Sequence, residues 1–280
     1  MQPTIRKANC DELDTILDWA AVEGWNPGIG DAQAFWAADP SGFWVAEQDG
    51  RLAAALSIVH FSSDYGFLGF YMAHPDFRGQ GIGWALWQAA MAAAGDATIG
   101  LDGVVAQQAN YQKSGFTYVH RNIRNGGLVD IRPVADADVT AVSLSQIPAL
   151  CAYDAAHSPA SRETFMTDWL GDTDTRRSFV LTQSGQISGL ATIRACRDGF
   201  KIGPLFAETE EGADRLFRRL AASVGKSMLY IDIPEPNLAA QKLCARYGLM
   251  PMFETARMYR GTVPNLPLDR IFGIASFELG

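Results

Sequence analysis

The chain holds little that could cross-link it, anchor it or bind a metal. Its four cysteines, Cys10, Cys151, Cys196 and Cys244, are far apart and form no C-x-x-C pair. Its four histidines, His60, His74, His120 and His157, show no metal-ligand spacing. Neither a disulfide framework nor a metal site is expected. Long apolar runs are also missing: WALWQAAMAAAG falls well short of the roughly 20 residues that span a bilayer. The first stretch, MQPTIRKANCDELDTILDWAA, carries acidic residues where a signal peptide needs an unbroken apolar core. A soluble, cytoplasmic protein with no membrane partner is expected. Positive charge is scarce, and the net charge of −8 disfavours nucleic acid while suiting a cationic partner such as an amine. What is abundant is apolar residues, 48% of 280, which is the composition of a packed globular protein.

The sequence is written twice. TIRKANCDELDTIL from Thr4 resembles DIRPVADADVTAV from Asp130, and FWVAEQDGRLAAALSIV from Phe43 resembles SFVLTQSGQISGLATI from Ser178. GFLGFYMA from Gly66 lines up with GFKIGPLFA from Gly199, and YQKSGFTYVHRNIRNGG from Tyr111 with CARYGLMPMFETARMYRG from Cys244. Four pairs in one order, most of them about 133 residues apart, indicate two copies of one domain, 1–127 and 128–280. Asn-Gly-Gly within Asn125–Leu128 supplies turn chemistry for the junction, with a strand over Val129–Val134 opening the second copy.

Within the first copy, Leu13, Ile16, Leu17, Trp19 and Ala20 follow helical spacing, with Asp11 near the helix start. Phe43–Glu47 and Leu52–His60 read as strands joined through Asp-Gly, and Phe67–Ala73 as a third. Ile82–Ala94 reads as a helix, Thr98–Asp102 as a strand, Gln107–Ser114 as a helix stopped at Gly115, and Phe116–Ile123 as a last strand. The fold class is mixed α/β (α+β), each copy a sheet flanked by helices.

Arg78-Gly-Gln-Gly-Ile-Gly83 lies between a strand and a helix. Glycines let backbone N–H groups approach a ligand, the helix start adds partial positive charge, and an arginine adds a donor fork, which together suit a phosphate or diphosphate. Gly83 is followed by Trp-Ala, so this is no Walker loop; the glycines alternate and follow a hairpin, so it is no dinucleotide fingerprint.

The pattern Arg78-x-x-Gly81-x-Gly83, the lead-in LGFYMAHPDF and the later Tyr111-x-x-x-Gly-Phe together resemble the GCN5-related N-acetyltransferase (GNAT) superfamily. The order of elements extends the resemblance over nearly the whole chain, as two tandem GNAT-like domains with mostly antiparallel sheets, the second degenerate. The resemblance implies acetyl-CoA as co-substrate. Its pantetheine arm would pair with Phe70, Tyr71, Met72 and Ala73, and its diphosphate would meet Arg78, Gly79, Gln80, Gly81, Ile82 and Gly83. Tyr111 stands where the family places the proton donor for the departing thiolate. Many relatives carry asparagine seven residues earlier, where this chain has Val104; Asn110, Gln107 and Gln108 are the alternatives for that contact. No general base is legible, with Glu23, Asp64, Asp102 and His120 as candidates. For the acceptor, GWNPGIGD offers Trp25 and Asn26 beside Glu23, and AYDAAHSPASRETF of the second copy offers Asp154.

Aligned on one offset, Glu211–Leu216 falls opposite Arg78–Gly83, so Glu208, Glu210, Glu211 and Asp214 would repel a diphosphate. Cys244 replaces Tyr111, while Asn237 keeps the asparagine that the first copy lost. The expected function is transfer of acetyl from acetyl-CoA to the amine of a small molecule such as an amino sugar, polyamine, amino-acid derivative or aminoglycoside-like compound. A non-catalytic acyl-CoA-binding or regulatory protein is the alternative. The closing stretch RIFGIASFELG is expected to add a strand that completes a sheet across the domain boundary.

Overall fold

Two hairpins written in the local sequence start the two halves of the sheet. Asp49 and Gly50 both sit at positive φ (53° and 72°), as do Ser184 and Gly185 (50° and 75°), the turn whose twist matches that of the flanking strands. The computed structural model describes residues 2–133 and 135–280. Its first half comprises β1 (Thr4–Lys7), α1 (Glu12–Val22), α2 (Asp31–Ala38), β2 (Phe43–Gln48), β3 (Arg51–His60) and β4 (Tyr65–Ala73). These are followed by α3 (Ile82–Ala93), β5 (Thr98–Val104), α4 (Gln108–Lys113) and β6 (Thr117–Val129). The second half repeats the series as β7 (Val139–Ala141), α5 (Ile147–Ala155), α6 (Glu163–Trp169), β8 (Arg176–Gln183), β9 (Gln186–Ala195) and β10 (Phe200–Ala207). Then come α7 (Glu210–Val224), β11 (Ser227–Pro234), α8 (Leu238–Arg246) and β12 (Met250–Arg260), with one addition, β13 (Ile271–Gly273). The mixed, mostly antiparallel α/β architecture expected from the sequence is the one formed. Helix α2 has no counterpart among the elements expected from the sequence, and Asp11 makes no side-chain cap bond to α1.

All strands join one sheet in the order β1-β2-β3-β4-β5-β12-β6-β11-β10-β9-β8-β7, with β13 beside β10. The centre is exchanged. Strand β12 of the second half pairs with β5 of the first, and β6 of the first pairs with β11 of the second. The two crossed strands also pair with each other along most of their length. Each half is therefore completed by the other half's last strand.

This exchange corrects the expected junction. Asn125-Gly126-Gly127 forms no turn but lies inside β6, Asn125 and Gly126 paired on both sides and Gly127 with Leu229 of β11, so residue 127 falls within a strand. Gly126 serves close packing instead: a Cβ there would stand 2.4 Å from Met252 Sδ and 2.8 Å from the Tyr230 ring. The expected strand over Val129–Val134 does not form at residues 130–133, and Val134 lies outside the described residues. The edge position of β1 is taken in the second half by β7.

The core crosses the halves too. Leu13, Phe35, Phe43 and Phe70 share one cluster with Leu150, Phe165, Met166 and Trp169. Phe35 stacks on Trp169 with ring centroids 5.9 Å apart. Helices α3 and α4 cover the opposite face of the first half with Leu86, Trp87 and Tyr111. Buried ion pairs join the halves as well: Arg194 with Asp31 at 3.2 Å, Arg124 with Asp232 at 2.7 Å and Arg257 with Asp102 at 2.7 Å. Breaking one such pair leaves a buried charge, so they fix how the two halves register.

Candidate active site

Strands β4 and β5 run parallel and pair only over Tyr65–Leu68 and Thr98–Leu101. Beyond Leu68 they separate, because β4 is bulged: Gly69 faces Ser57 and Met72 faces Ala55, so Phe70 and Tyr71 together oppose Leu56. Phe70 takes a φ of 50°, an uncommon conformation for a bulky residue. The bulge releases backbone N–H groups from the β3 ladder. A cavity of about 250 Å³ occupies the gap, lined by Phe70, Tyr71, Met72, Ala73, Gly83 and Tyr111 among others. The strand Phe70–Ala73 and Tyr111, singled out by the resemblance, thus line one cavity.

The glycine loop closes one end of this gap. Gly81 is the N-cap of α3, at φ 78°, and contributes no side chain to cap it. The first N–H groups of α3 are left for an anion, and no acidic residue sits in its first turn. Arg78 makes two bonds within the chain: its Nε donates to Ala73 O at 3.0 Å and its Nη2 to Glu23. It ties the loop to the end of β4 and to α1. Gln80 likewise bonds back to Asp76 O, and the Ile82 side chain is buried in the core.

Tyr111 is 7% exposed, stacked on Trp87 with ring centroids 5.6 Å apart and edge-on to Phe116. Burial, with Tyr71 nearby, pushes its phenol well above the ordinary tyrosine range. A phenol that keeps its proton suits a donor, not a base.

The opposite end of the cavity is lined by Trp25, Phe253, Thr255, Phe277 and Glu278. Trp25 is held there from both halves, its carbonyl accepting from Arg124 of β6 at 2.7 Å and from Lys201 of β10 at 3.2 Å. The remaining acceptor and cofactor candidates are engaged elsewhere. Glu23 pairs with Arg78. Asn26 exchanges hydrogen bonds with the Asp198 backbone at 2.8 and 3.0 Å, clipping the halves together. Asp154 is buried in a two-pronged pair with Arg162 at 2.9 Å, outside the cavity lining. Asn110 is exposed and bonds Gln107, and it is Gln107 that lines the cavity. Asp102 lines it too, but both its oxygens are bound by Arg257, at 2.9 and 2.7 Å. The residues missed by sequence reasoning, Phe253, Thr255, Phe277 and Glu278, all come from the second half. For Phe277 and Glu278 the signal was a lone carboxylate in the mostly apolar stretch Ile271–Gly280; Phe253 and Thr255 carried none.

The second half has the same gap between β10 and β11, filled by the chain itself. The bulge persists at Gly203-Pro204, between the pairs Ile202–Ile193 and Leu205–Ala191, but proline has no N–H to offer. Strand β13 pairs with Leu205 and Phe206 of β10, and Ile274 N donates to Asp232 O at the end of β11. Asn237 fixes this arrangement: its Nδ2 donates to Ile271 O at 2.9 Å. The single-offset alignment of Glu211–Leu216 with the glycine loop is corrected here. Eight residues separate β4 from α3, only two separate β10 from α7, and Glu211–Leu216 lies within α7. Thr209 caps α7 by accepting from Gly212 N at 3.0 Å, occupying the position an anion would need. Cys244 does replace Tyr111: each residue's carbonyl accepts from the N–H five residues on, Leu249 and Phe116 respectively. Burial pushes the Cys244 thiol up to about 12.

His120 is absent from this cavity's lining and stands at a separate one with His157 and Arg162. Burial, with Arg257 alongside, pushes its imidazole down to about 4. Its folded pKa lies below the unfolded value of about 6.5, so its contribution is intact above that value and is lost as pH falls toward 4. The loss reaches about 2 kcal/mol by pH 5. Urea unfolding at pH 7 and pH 5 should therefore show a smaller drop in stability for His120→Gln than for the parent; equal drops would refute the burial argument.

Comparison with known proteins agrees with this geometry. The "Acetyltransferase (GNAT) family" model matches residues 10–116, and the "Acetyltransferase (GNAT) domain" model matches residues 150–273. The chain belongs to the GNAT acyltransferases, with two such units in tandem. It is similar to holothin acyltransferase of Pseudoalteromonas sp. (strain SANK 73390), 30% identical over 278 residues, covering 99% of this chain and 94% of that one. A putative acetyltransferase from Pyrococcus horikoshii shares the fold with a TM-score of 0.84 at 17% identity, covering 100% of this chain and 96% of the other. A tandem GNAT protein from the clavulanic acid biosynthesis pathway matches with a TM-score of 0.61 at 15% identity, over 94% of this chain and 100% of that one. Proteins of this fold generally use acyl-CoA. No helix among the described residues is long and apolar enough to cross a membrane.

Proposed function

We propose that the protein transfers an acetyl group from acetyl-CoA to the amine of a small molecule, with residues 1–127 holding the cofactor and 128–280 walling the acceptor side. The observation that carries this reading is the contrast between the two gaps. Both have a bulged strand, but one has an uncapped helix start and a buried phenol, while the other carries Pro204 at the bulge, is filled by β13 and is capped by Thr209. In the first, the thioester carbonyl would lie against the freed N–H groups near Phe70 and Tyr71, which stabilise the charge its oxygen gains. The diphosphate would lie on the start of α3. Tyr111 would protonate the departing sulfur. A cavity of about 250 Å³ suits a small acceptor. The curated relative, named for acyl transfer to holothin, spans the same two units and supports this reading.

Calorimetric titration with acetyl-CoA tests it, with one site per chain expected. Gly83→Asp, whose Cβ would stand at an ordinary 3.5 Å from Tyr71 Oη, puts a carboxylate into the acid-free first turn of α3 and repels the diphosphate, so affinity should fall on the order of 100-fold. Two sites, or an unaffected variant, would refute the assignment.

A further inference from the structure

The acceptor end of the cavity has its own chemistry. Trp25, Phe253 and Phe277 present aromatic surface, with the Phe253 and Phe277 rings 5.9 Å apart. Glu278 lines the same cavity, is 2% exposed, and its Oε1 has no hydrogen-bond partner. Buried Thr255 Oγ1, also in the lining, has none either. Burying a carboxylate oxygen unpaired is costly, so such an atom calls for a partner supplied from outside the chain.

The charges around Glu278 narrow what that partner can be. Arg124, Arg194 and Lys201 feel its charge, yet none stands within the 4.0 Å of an ion pair. Arg124 is taken up by Asp232, Arg194 by Asp31, and Lys201 by the carbonyls of Trp25 and Asn26. The other carboxylate in the lining, Asp102, is neutralised by Arg257. Asp31 also serves Arg176, and Lys201 meets only carbonyl oxygens, so the cluster holds no excess negative charge; Glu278 Oε1 still lacks a donor, which a single ammonium supplies, whereas a polycation would bring further positive charge against those cations.

Building on the acetyl-transfer reading above, we propose that the acceptor is a flat monoamine carried on an aromatic or heteroaromatic ring, and that Glu278 is the group that takes its proton. The ring lies among Trp25, Phe253 and Phe277, and the ammonium meets Glu278. Glu278 takes one proton from the ammonium and passes it to solvent. The freed nitrogen pair forms the N–C bond to the thioester carbon. The C–S bond then breaks with its pair on sulfur, Tyr111 gives that sulfur its hydroxyl proton, and the phenol recovers the second proton shed by nitrogen. The products are an amide, CoA thiol and one proton.

The test follows thiol release from acetyl-CoA by the full-length protein, with tryptamine, phenethylamine, spermidine and kanamycin as acceptors. The two aromatic monoamines should exceed the polyamine and the aminoglycoside at least tenfold in kcat/KM. Glu278→Gln should lower kcat/KM for tryptamine about 100-fold at pH 7. Acetyl-CoA affinity should stay within twofold, and the loss should shrink toward pH 10 as the amine sheds its own proton. Glu278→Asp should recover part of the activity. Phe253→Ala, at the half-exposed rim and so safe for folding, should raise the tryptamine KM about tenfold with cofactor affinity unchanged. A pH-independent loss in Glu278→Gln, an unaltered Phe253→Ala or a preference for spermidine or kanamycin would overturn the proposal. Bound acetyl-CoA with no amine acetylated would overturn it while leaving the cofactor site standing. Failure to bind acetyl-CoA would bring down the acetyl-transfer reading itself.

Discussion

Deleting Phe272–Gly280 should leave no cooperatively folded protein, read as loss of the thermal transition and of soluble expression. The segment carries four large apolar side chains, Phe272, Ile274, Phe277 and Leu279, exposed by only 1, 7, 7 and 1%. Burial of such side chains stabilises by about 1.5–3 kcal/mol each. Their sum is about the whole net stability of a typical domain, roughly 5–15 kcal/mol. The backbone of the segment is held as well: Arg162 Nη1 donates to Gly280 O at 2.5 Å, and Ile274 N to Asp232 O at 2.9 Å. Gly69 exists for this contact, since a Cβ there would stand 2.1 Å from Glu278 O. Removal would open the gap between β10 and β11 and strip the acceptor end from the first cavity in one stroke. A truncated protein with an unchanged melting transition would refute the role assigned to the segment. The expected completion of a sheet across the boundary takes another form: β13 pairs within its own half, and the residues after it run on as buried chain against β4.

Tyr111→Phe should lower kcat about 100-fold while acetyl-CoA affinity and melting temperature stay nearly unchanged. General acid catalysis by a positioned group contributes typically 10²–10⁴-fold. The ring's stack on Trp87 and its edge contact with Phe116 survive the substitution. Burial and Tyr71 account for the state of the phenol, with no hydrogen bond acting on it, so removing the hydroxyl orphans no partner. The parent protein's activity should also hold through pH 10, because the required form is the protonated one and burial raises its pKa. Equal losses of turnover and cofactor affinity would mark the tyrosine as structural.

The second half illustrates how far local sequence could reach. Cys244 for Tyr111 was legible, and so was the missing glycine loop. The acidic residues blamed for the loss were not the main cause: the loop is six residues shorter, Thr209 caps the helix, Pro204 removes an N–H and β13 fills the gap. Asn237, retained from the family pattern, holds the protein's own strand.

The sequence by itself determined the duplication, the two hairpins, the strand–glycine loop–helix unit and the position of Tyr111. Those features rest on contacts between near neighbours: turn residues that accept positive φ, periodic apolar faces, and glycines before a helix. Tertiary structure alone decided that β6 and β12 change places, that Glu23, Asn26 and Asp154 are consumed by Arg78, the Asp198 backbone and Arg162, and that the acceptor end is built from Phe253, Phe277 and Glu278. Strand exchange and the inter-half ion pairs join residues more than a hundred positions apart, as Arg124 with Asp232 and Arg257 with Asp102, although Asp154 meets Arg162 only eight positions on. A strand's local pattern states that it will pair but not with which partner, so only the assembled sheet settles which carboxylate remains free.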